Sequence, residues 1–166
     1  LDHAVNTSPW TAPQPELDAN GVLWMAVLMA SVYDGVAQSA RDWLVQFLEE
    51  RKPSNLGASL STLPRFQEVL GHIDTLLFAN RTLLDSATHG LTPASHAAQI
   101  KYLVTSNAIR AVELAIEATG NPGLSRSNAL QRHYRNVLCA RVHTPQNDVV
   151  LQGVGKAAFA ARKAQD

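Results

Sequence analysis

The sequence predicts an all-α domain, arranged as an antiparallel up-and-down four-helix bundle with a shorter extra helix. Apolar residues recur at helical spacing from residue 21 almost to the end of the chain. No segment shows the sustained alternation of apolar and polar residues that is typical of a half-buried strand. Glycine and proline interrupt the helical pattern only briefly, and short connections between long helices favour antiparallel neighbours.

The first predicted helix runs from Gly21 to Arg51, with Asp18 or Asn20 as its N-cap, because short polar side chains satisfy the first free amides of a helix. Pro53 ends the helix, since proline disfavours the helical conformation of the residue before it. Helical spacing predicts that its core side carries Val22, Met25, Met29, Val32, Val36, Ala40, Leu44 and Phe47.

The second and third predicted helices each begin at a threonine that shortly precedes a proline in the first turn. The second starts at Thr62 and ends at His89-Gly90, and the third starts at Thr92 and ends at residues 120–123, Gly-Asn-Pro-Gly. The predicted core residues of the second helix are Phe66, Val69, Leu70, Ile73, Leu76, Leu77, Leu83 and Leu84. Those of the third are Ile100, Leu103, Val104, Ile109, Val112 and Ile116.

Two further helices and an N-terminal linker complete the predicted organisation. A shorter helix is predicted from Ser127 to Leu138 and a last one from Asn147 to Lys163. The first 20 residues hold three prolines among polar residues, which is typical of a linker that enters from an upstream region. We therefore predict a linker at residues 1–20 and a helical-bundle domain at 21–166. One side of the last helix is predicted to carry Val150, Val154, Ala157, Ala158 and Ala161.

Charge and composition limit the classes of partner. Fourteen basic residues balance fourteen acidic ones, so we expect no nucleic acid and no membrane surface as partners. The longest apolar stretch, Gly21 to Ala30, is shorter than the ~20 residues of a membrane span, so none is expected. The single cysteine, Cys139, and the lack of a signal-peptide pattern predict a cytoplasmic protein. The charged fraction of 17% lies below the ~25% of an average domain, which indicates a covered surface.

Three stretches carry information beyond periodicity. They are residues 50–53 (Glu-Arg-Lys-Pro) with 63–67 (Leu-Pro-Arg-Phe-Gln), residues 120–123, and residues 130–145, which include Leu-Gln-Arg-His-Tyr-Arg-Asn and end in His-Thr-Pro. In this order and spacing they resemble the C-terminal domain of acyl-CoA dehydrogenases, over about residues 21–163. Within that superfamily the third stretch is more similar to the reduced-flavin monooxygenases, which include desulfurising, sulfur-scavenging and two-component aromatic-hydroxylating enzymes.

The resemblance implies that His143 is the catalytic residue. In the dehydrogenases a glutamate in the loop before the last helix removes the α-proton of a thioester, whereas this sequence has Val142-His143-Thr144-Pro145 there. A histidine is better suited to donating a proton or hydrogen bond beside a flavin–oxygen adduct, or to orienting the substrate. The alternative is a structural histidine that caps the last helix or satisfies a buried carbonyl. Glu49 and Glu50 keep dehydrogenation open, because some dehydrogenases place their base on another helix.

The same resemblance implies a flavin cofactor, FAD or reduced FMN, and three residues that hold it. Arg51 matches an arginine that contacts flavin phosphate or adenine across a subunit boundary, and a guanidinium suits phosphate. Gly120 and Gly123 match a loop whose missing side chains let backbone amides approach the flavin. Helix termination explains all three residues as well. We predict no metal, because the remaining histidines lack the Glu-x-x-His pattern of metal-binding bundles.

Three functional hypotheses follow for the protein that contains this domain. The first is a monooxygenase that takes reduced flavin from a separate reductase, the second an acyl-CoA dehydrogenase that uses FAD, and the third a non-enzymatic helical interaction module. The family implies self-association as a homotetramer and a small-molecule substrate. Its members carry upstream domains that supply much of the pocket, so this chain alone is expected to be inactive.

Overall fold

The computed structural model describes residues 16–164 and confirms the predicted all-α class, since every regular element in that range is helical. Of the predicted linker at 1–20, residues 1–15 lie outside the described residues. Single 3₁₀ turns occupy Leu60–Thr62, Ala94–His96 and Cys139–Arg141. The helices are α1 (Ala19–Glu50), α2 (Pro64–Thr88), α3 (Ala97–Thr119), α4 (Asn121–Leu124), α5 (Leu130–Leu138) and α6 (Asn147–Lys163).

Helices α1, α2, α3 and α5 form the up-and-down bundle. The antiparallel pairing of α1 with α2 is visible in two contacts, because Arg41 bonds Asp74 whereas the earlier residue Asp34 bonds the later residue Asn80. The beginnings of α1 and α3 share one buried cluster with the end of α2, and the ends of α1 and α3 share a second. The first and third helices therefore run parallel to each other across the bundle core.

The buried face of α1 differs from the predicted one. Val22, Met25 and Val32 were predicted to face the core, but 47%, 55% and 61% of their surfaces are exposed. The prediction was wrong because α1 is apolar on two faces, so periodicity could not choose between them. The face toward α3 is rich in alanine, which lets the two helices approach closely. It consists of Leu23, Ala26, Val27, Ala30, Tyr33, Ala37, Ala40, Leu44 and Leu48.

The length and composition of α1 would also allow it to cross a membrane. An 18-residue window of this helix has a mean hydropathy of 1.3, and 28% of that window is buried within the chain. Core helices of bundles can have the same length and hydropathy, and α1 packs against α2, α3 and α5. The predicted absence of a membrane span stays a prediction.

The helix starts follow the predicted signals only in part. The predicted start of the third helix at Thr92 is wrong, because residues 94–96 form a 3₁₀ turn and α3 begins at Ala97. The carboxylate of Asp18 caps α1 as predicted, accepting a hydrogen bond of 2.7 Å from the amide of Gly21. The predicted cap Thr62 is wrong, because its hydroxyl donates to the carbonyl of Ser59 within the preceding 3₁₀ turn. Helix α2 begins instead at Pro64, whose fixed φ suits the first helical position.

The last helix has the predicted bounds, but most of its apolar side is exposed. Only Val150 of α6 is buried, and the predicted apolar residue Val154 is 42% exposed. Periodicity identified an apolar side correctly, but within the described chain α6 contacts little beyond the beginning of α3. Residues 16–164 therefore leave most of that apolar side uncovered. The short helix α5 begins at Leu130 rather than Ser127, because Ser125 and Ser127 bond each other in a turn.

Candidate functional site

The candidate catalytic residue lies in the loop between α5 and α6. The chain leaves α5 through the 3₁₀ turn at Cys139–Arg141 and reaches α6 at Asn147. The amide of His143 donates to the carbonyl of Cys139 at 3.3 Å, so the loop begins as a continuation of the helix. His143 itself is exposed, and the peptide bond between Thr144 and Pro145 is cis.

Tyr33 holds the imidazole of His143 from the centre of α1. Tyr33 is only 4% exposed, and its hydroxyl hydrogen-bonds Nδ1 of His143. The two rings are tilted by 52° with their centroids 5.6 Å apart. The contact joins residues 110 positions apart. Sequence reasoning missed it because nothing local to either residue indicates the pairing.

The hydrogen bond between Tyr33 and His143 favours one tautomer of the neutral imidazole. Among residues 16–164, Nδ1 of His143 is the one acceptor within reach of the Tyr33 hydroxyl hydrogen. Were Nδ1 to carry the hydrogen instead, the buried Tyr33 hydroxyl would have no acceptor, at a cost of about 1–3 kcal/mol. The arrangement therefore favours Tyr33 as donor, Nδ1 as acceptor and Nε2 as the protonated nitrogen. Nε2 then presents an N–H donor away from α1.

Burial keeps Tyr33 in its donor form. Loss of solvent raises the pKa of the Tyr33 phenol above its ordinary value of 10.0, and electrostatic interaction with the nearby Cys139 raises this pKa further. The phenol therefore stays protonated throughout the physiological range. Its hydrogen remains available to Nδ1 of His143.

Lys101 holds the main chain of the same loop from α3. The lysine is completely buried, and its ammonium donates to the carbonyls of Ala140, His143 and Pro145 at 3.1, 2.9 and 3.0 Å. Three acceptors match the three N–H donors of an ammonium. No carboxylate within the described range contacts Lys101. Burial lowers the pKa of Lys101.

The sequence itself indicates that Lys101 lies on the buried side of α3, although Lys101 was not among the predicted core residues. Val104 and Ala108 follow Lys101 by three and seven residues, so all three lie on the same, core-facing side of α3. A buried lysine almost always has a specific partner. The pattern indicates that such a partner exists, whereas its identity as three loop carbonyls becomes visible only in the fold.

Two apolar clefts border the loop on either side of Pro145. One, of about 200 Å³, lies against the beginning of α1 and is lined in part by Met25, Met29 and Thr144. The other, of about 430 Å³, lies between the beginning of α3 and Val150 of α6. Both are open, and His143, which lines neither of them, is itself exposed in the adjoining loop.

The three residues predicted to hold flavin lie elsewhere. Arg51 is exposed at the end of α1, and its guanidinium has no hydrogen-bond partner among residues 16–164. That free guanidinium fits a phosphate group. The amides of Gly120 and Gly123 donate to the carbonyls of Ile116 and Gly120, both at 2.9 Å. The two glycines therefore fit a cofactor less well, because their own amides are already in use.

Each glycine also has a structural reason. Gly120 has a φ of +62°, a conformation that favours glycine at a helix end. A Cβ atom on Gly123 would lie 2.2 Å from the hydroxyl oxygen of Thr119. Gly123 thus lets α4 pack tightly against the end of α3.

Within a single chain, His143 lies far from the residues that were predicted to hold the flavin. Tyr33, which holds His143, precedes Arg51 by 18 residues of sequence, or roughly 27 Å at the helical rise. The end of α3, with Gly120, lies beside the same end of α1 as Arg51. Glu49 and Glu50, the alternative bases, are exposed at that far end. No group of three or more His, Cys, Asp or Glu within the described range is arranged to hold a metal.

Comparisons with known proteins agree on one family. Residues 27–148 match the family model for the C-terminal domain of acyl-CoA dehydrogenases. YdbM of Bacillus subtilis (strain 168), a protein classed with the acyl-CoA dehydrogenases, is 32% identical over 143 residues, which cover 82% of this chain and 37% of YdbM. The chain thus spans little more than a third of that relative.

Solved structures share the fold at lower identity. Butyryl-CoA dehydrogenase from Megasphaera elsdenii superposes with a TM-score of 0.74 at 21% identity, over 85% of this chain and 37% of that one. A nitroalkane oxidase superposes with a TM-score of 0.71 at 18% identity, over 78% and 32%. Enzymes named for different reactions therefore use this bundle, and the fold does not select among them.

Proposed function

The chain belongs to the acyl-CoA dehydrogenase family as its C-terminal domain, and from this premise we propose that it is the helical part of a flavin-dependent monooxygenase. Within that enzyme the domain contributes His143 to the reaction, Arg51 to flavin binding and its exposed apolar faces to assembly. A reduced flavin supplies the electrons that activate oxygen when it is bound. That flavin is FAD or reduced FMN.

The observation that carries the proposal is the donor character of His143. Tyr33 occupies Nδ1, so Nε2 presents an N–H on the exposed side of the loop. Such a donor can stabilise negative charge on a reacting oxygen, as hydrogen-bond donors do wherever charge develops in a transition state. It cannot accept the α-proton of a thioester in this tautomer. Residues 139–146 also contain no aspartate or glutamate that could act as that base.

The separation of His143 from Arg51 fits a flavin site built by more than one subunit. In this proposal His143 faces the flavin of its own subunit, while Arg51 binds a phosphate of the flavin held mainly by a neighbour. Gly120 and Gly123 contribute through the shape of their turn rather than through their own amides, which are already bonded. Each chain would then take part in two flavin sites.

The proposed assembly is a cytoplasmic homotetramer with an upstream region that completes the pocket. Support comes from the exposed apolar residues on α1 and α6, which the described chain leaves uncovered. A small-molecule substrate and a separate flavin reductase complete the proposed set of partners. The uncovered residues include Val22, Trp24, Met25, Leu28, Val32, Val149, Leu151, Val154 and Phe159.

An acyl-CoA dehydrogenase that uses FAD is the second candidate, favoured by the 32% identity with YdbM. This function needs a carboxylate base close to the flavin. Glu49 and Glu50 lie at the far end of α1, so the base would have to come from another subunit or from the upstream region. A non-enzymatic module required the family resemblance to be accidental, and membership of the family removes that premise.

Two assays on the full-length protein separate the candidates. Oxygen uptake is measured with enzymatically reduced flavin and a panel of organosulfur and aromatic substrates, and flavin bleaching is measured anaerobically with acyl-CoA thioesters. We expect substrate-dependent uptake that falls about 100-fold in His143→Ala, the size of one lost oxyanion donor. The matched control His72→Ala, an exposed histidine on α2, should leave uptake unchanged. Bleaching by a thioester without oxygen uptake would establish the dehydrogenase instead.

A further inference from the structure

The loop that carries His143 is attached to the bundle at two points. Tyr33 of α1 holds the imidazole, and Lys101 of α3 holds the main chain through the carbonyls of Ala140, His143 and Pro145. The side chain and backbone of one residue are thus fixed from two different helices. Neither attachment alone determines where Nε2 points, because an imidazole can turn about a mobile backbone.

The Lys101 ammonium is well placed to hold the main chain of the loop. Helix α5 and the following 3₁₀ turn end with carbonyls that lack helical partners, and the negative end of a helix dipole favours a cation there. Ala140 and His143 lie at or just beyond that end. A lysine is completely buried at this position without a carboxylate among the described residues, so the loop carbonyls are its whole complement of partners.

Lys101 has no free N–H group with which to bind a further partner in this conformation of the loop. Its ammonium is inaccessible, and each of its three N–H groups already has an acceptor. It therefore cannot bind substrate or flavin directly while the loop keeps this conformation. An effect of Lys101 on the reaction has to pass through the residues that it holds.

We propose that Lys101 is a positioning residue, which fixes residues 140–145 so that Nε2 of His143 is aimed at the reacting oxygen. The proposal rests on the function proposed above, because it assigns Lys101 a role in the same step. It adds a residue on α3 to a site otherwise formed by α1 and the loop.

A double-mutant cycle in the full-length protein tests whether Lys101 acts through His143. The variants are Lys101→Met, His143→Ala and their combination, each assayed for substrate-dependent oxygen uptake as kcat and KM. We expect Lys101→Met to lower kcat at least tenfold in the wild-type background with less than a twofold change in KM. In the His143→Ala background it should change kcat less than twofold. A loss by the same factor in both backgrounds would show a general structural role and overturn the proposal.

Amide hydrogen exchange supplies a readout that is independent of turnover. Lys101→Met should speed the exchange of residues 139–146 at least tenfold and leave the rest of α1 within twofold of wild type. Thr105→Val is the matched control, because Thr105 is equally buried one turn further along α3 and bonds only within that helix. Unchanged exchange in the loop of Lys101→Met would also overturn the proposal.

Two safeguards keep the outcomes distinct. If Lys101→Met does not accumulate as folded protein, Lys101→Gln, which keeps two N–H donors, enters the same cycle and should show the same coupling to His143 with a smaller loss. If His143→Ala alone has no effect on uptake, the function proposed above fails. If His143→Ala lowers oxygen uptake and Lys101→Met lowers kcat by the same factor with and without His143, only the proposed role of Lys101 fails.

Discussion

Replacing Tyr33 by phenylalanine removes one oxygen atom and leaves the aromatic ring that packs in the bundle. The lost hydroxyl is the partner of Nδ1 of His143, and no other hydrogen bond of the Tyr33 side chain exists within the described range. His143 is exposed, so its imidazole can turn toward solvent once the Tyr33 hydroxyl is gone. The substitution therefore isolates the effect of Tyr33 on the imidazole.

The expected magnitudes follow from these contacts. A hydrogen bond of this kind contributes about 0.5–1.5 kcal/mol net, so Tyr33→Phe should lower the melting temperature by no more than about 6 °C. In the wild type, leaving the Tyr33 hydroxyl without an acceptor costs about 1–3 kcal/mol, which favours the Nε2–H tautomer roughly 5- to 150-fold. The variant loses this bias, and we expect turnover to fall roughly two- to tenfold.

Nitrogen chemical shifts of the imidazole report the tautomer directly. The full-length protein is labelled with ¹⁵N-histidine, and the His143 signals are identified by their loss in His143→Ala. The wild type should carry its ring hydrogen on Nε2, whereas Tyr33→Phe should show a mixture of both tautomers. A wild-type ring with its hydrogen on Nδ1, or a variant indistinguishable from wild type in tautomer and turnover, would refute the reasoning.

Three further predictions concern stability. Gly123→Ala should destabilise the fold by about 1–3 kcal/mol, because the added Cβ would lie 2.2 Å from the Thr119 hydroxyl. The control is Gly71→Ala on α2, where an added Cβ has no other atom within 4 Å and alanine should be neutral or stabilising. Urea denaturation of both variants measures the difference, and equal stabilities would contradict the packing argument. Asn80→Ala should cost about 2–4 kcal/mol in the same assay, because this fully buried amide makes three hydrogen bonds at 2.8–3.1 Å; a cost below 1 kcal/mol would be inconsistent with that network. The pKa of Tyr33 is raised in the folded state, so the protonated phenol contributes fully to folding stability below pH 10, and this contribution is lost as pH rises through the folded pKa. Above pH 10, Tyr33→Phe should therefore lose less folding stability than the wild type. If alkaline denaturation shows equal losses in the two proteins, Tyr33 is not a source of the pH dependence.

The bundle was predictable because helical spacing, capping residues and glycine–proline breaks all indicated the same elements. Asp18 as the first cap and Asn147–Lys163 as the last helix needed only local information. The buried face of α1 needed more, since both of its faces are apolar and the choice depends on which one can approach α3. Local periodicity also identified the apolar side of α6, although within residues 16–164 only Val150 of that side is buried.

The candidate site was predictable only in part. A family resemblance selected His143, but Tyr33 lies 110 residues away and its role depends on how α1 and the loop meet in space. Lys101 could have been noticed as a lysine on the core stripe of α3. The same resemblance that selected His143 also selected Arg51, Gly120 and Gly123. Within one chain these three lie at the C-terminal end of α1, whereas His143 contacts the centre of that helix.

A single-turnover reaction tests the central claim, that Nε2 of His143 donates a hydrogen bond in the oxygen-dependent step, most directly. Full-length protein loaded with reduced flavin and substrate is mixed with oxygenated buffer, and the oxygenated product and hydrogen peroxide are quantified per flavin. We predict that, at reaction times at which the wild type has formed product, His143→Ala has formed about 100-fold less, without a matching rise in hydrogen peroxide. Equal product yields from the two proteins at those times would contradict the claim.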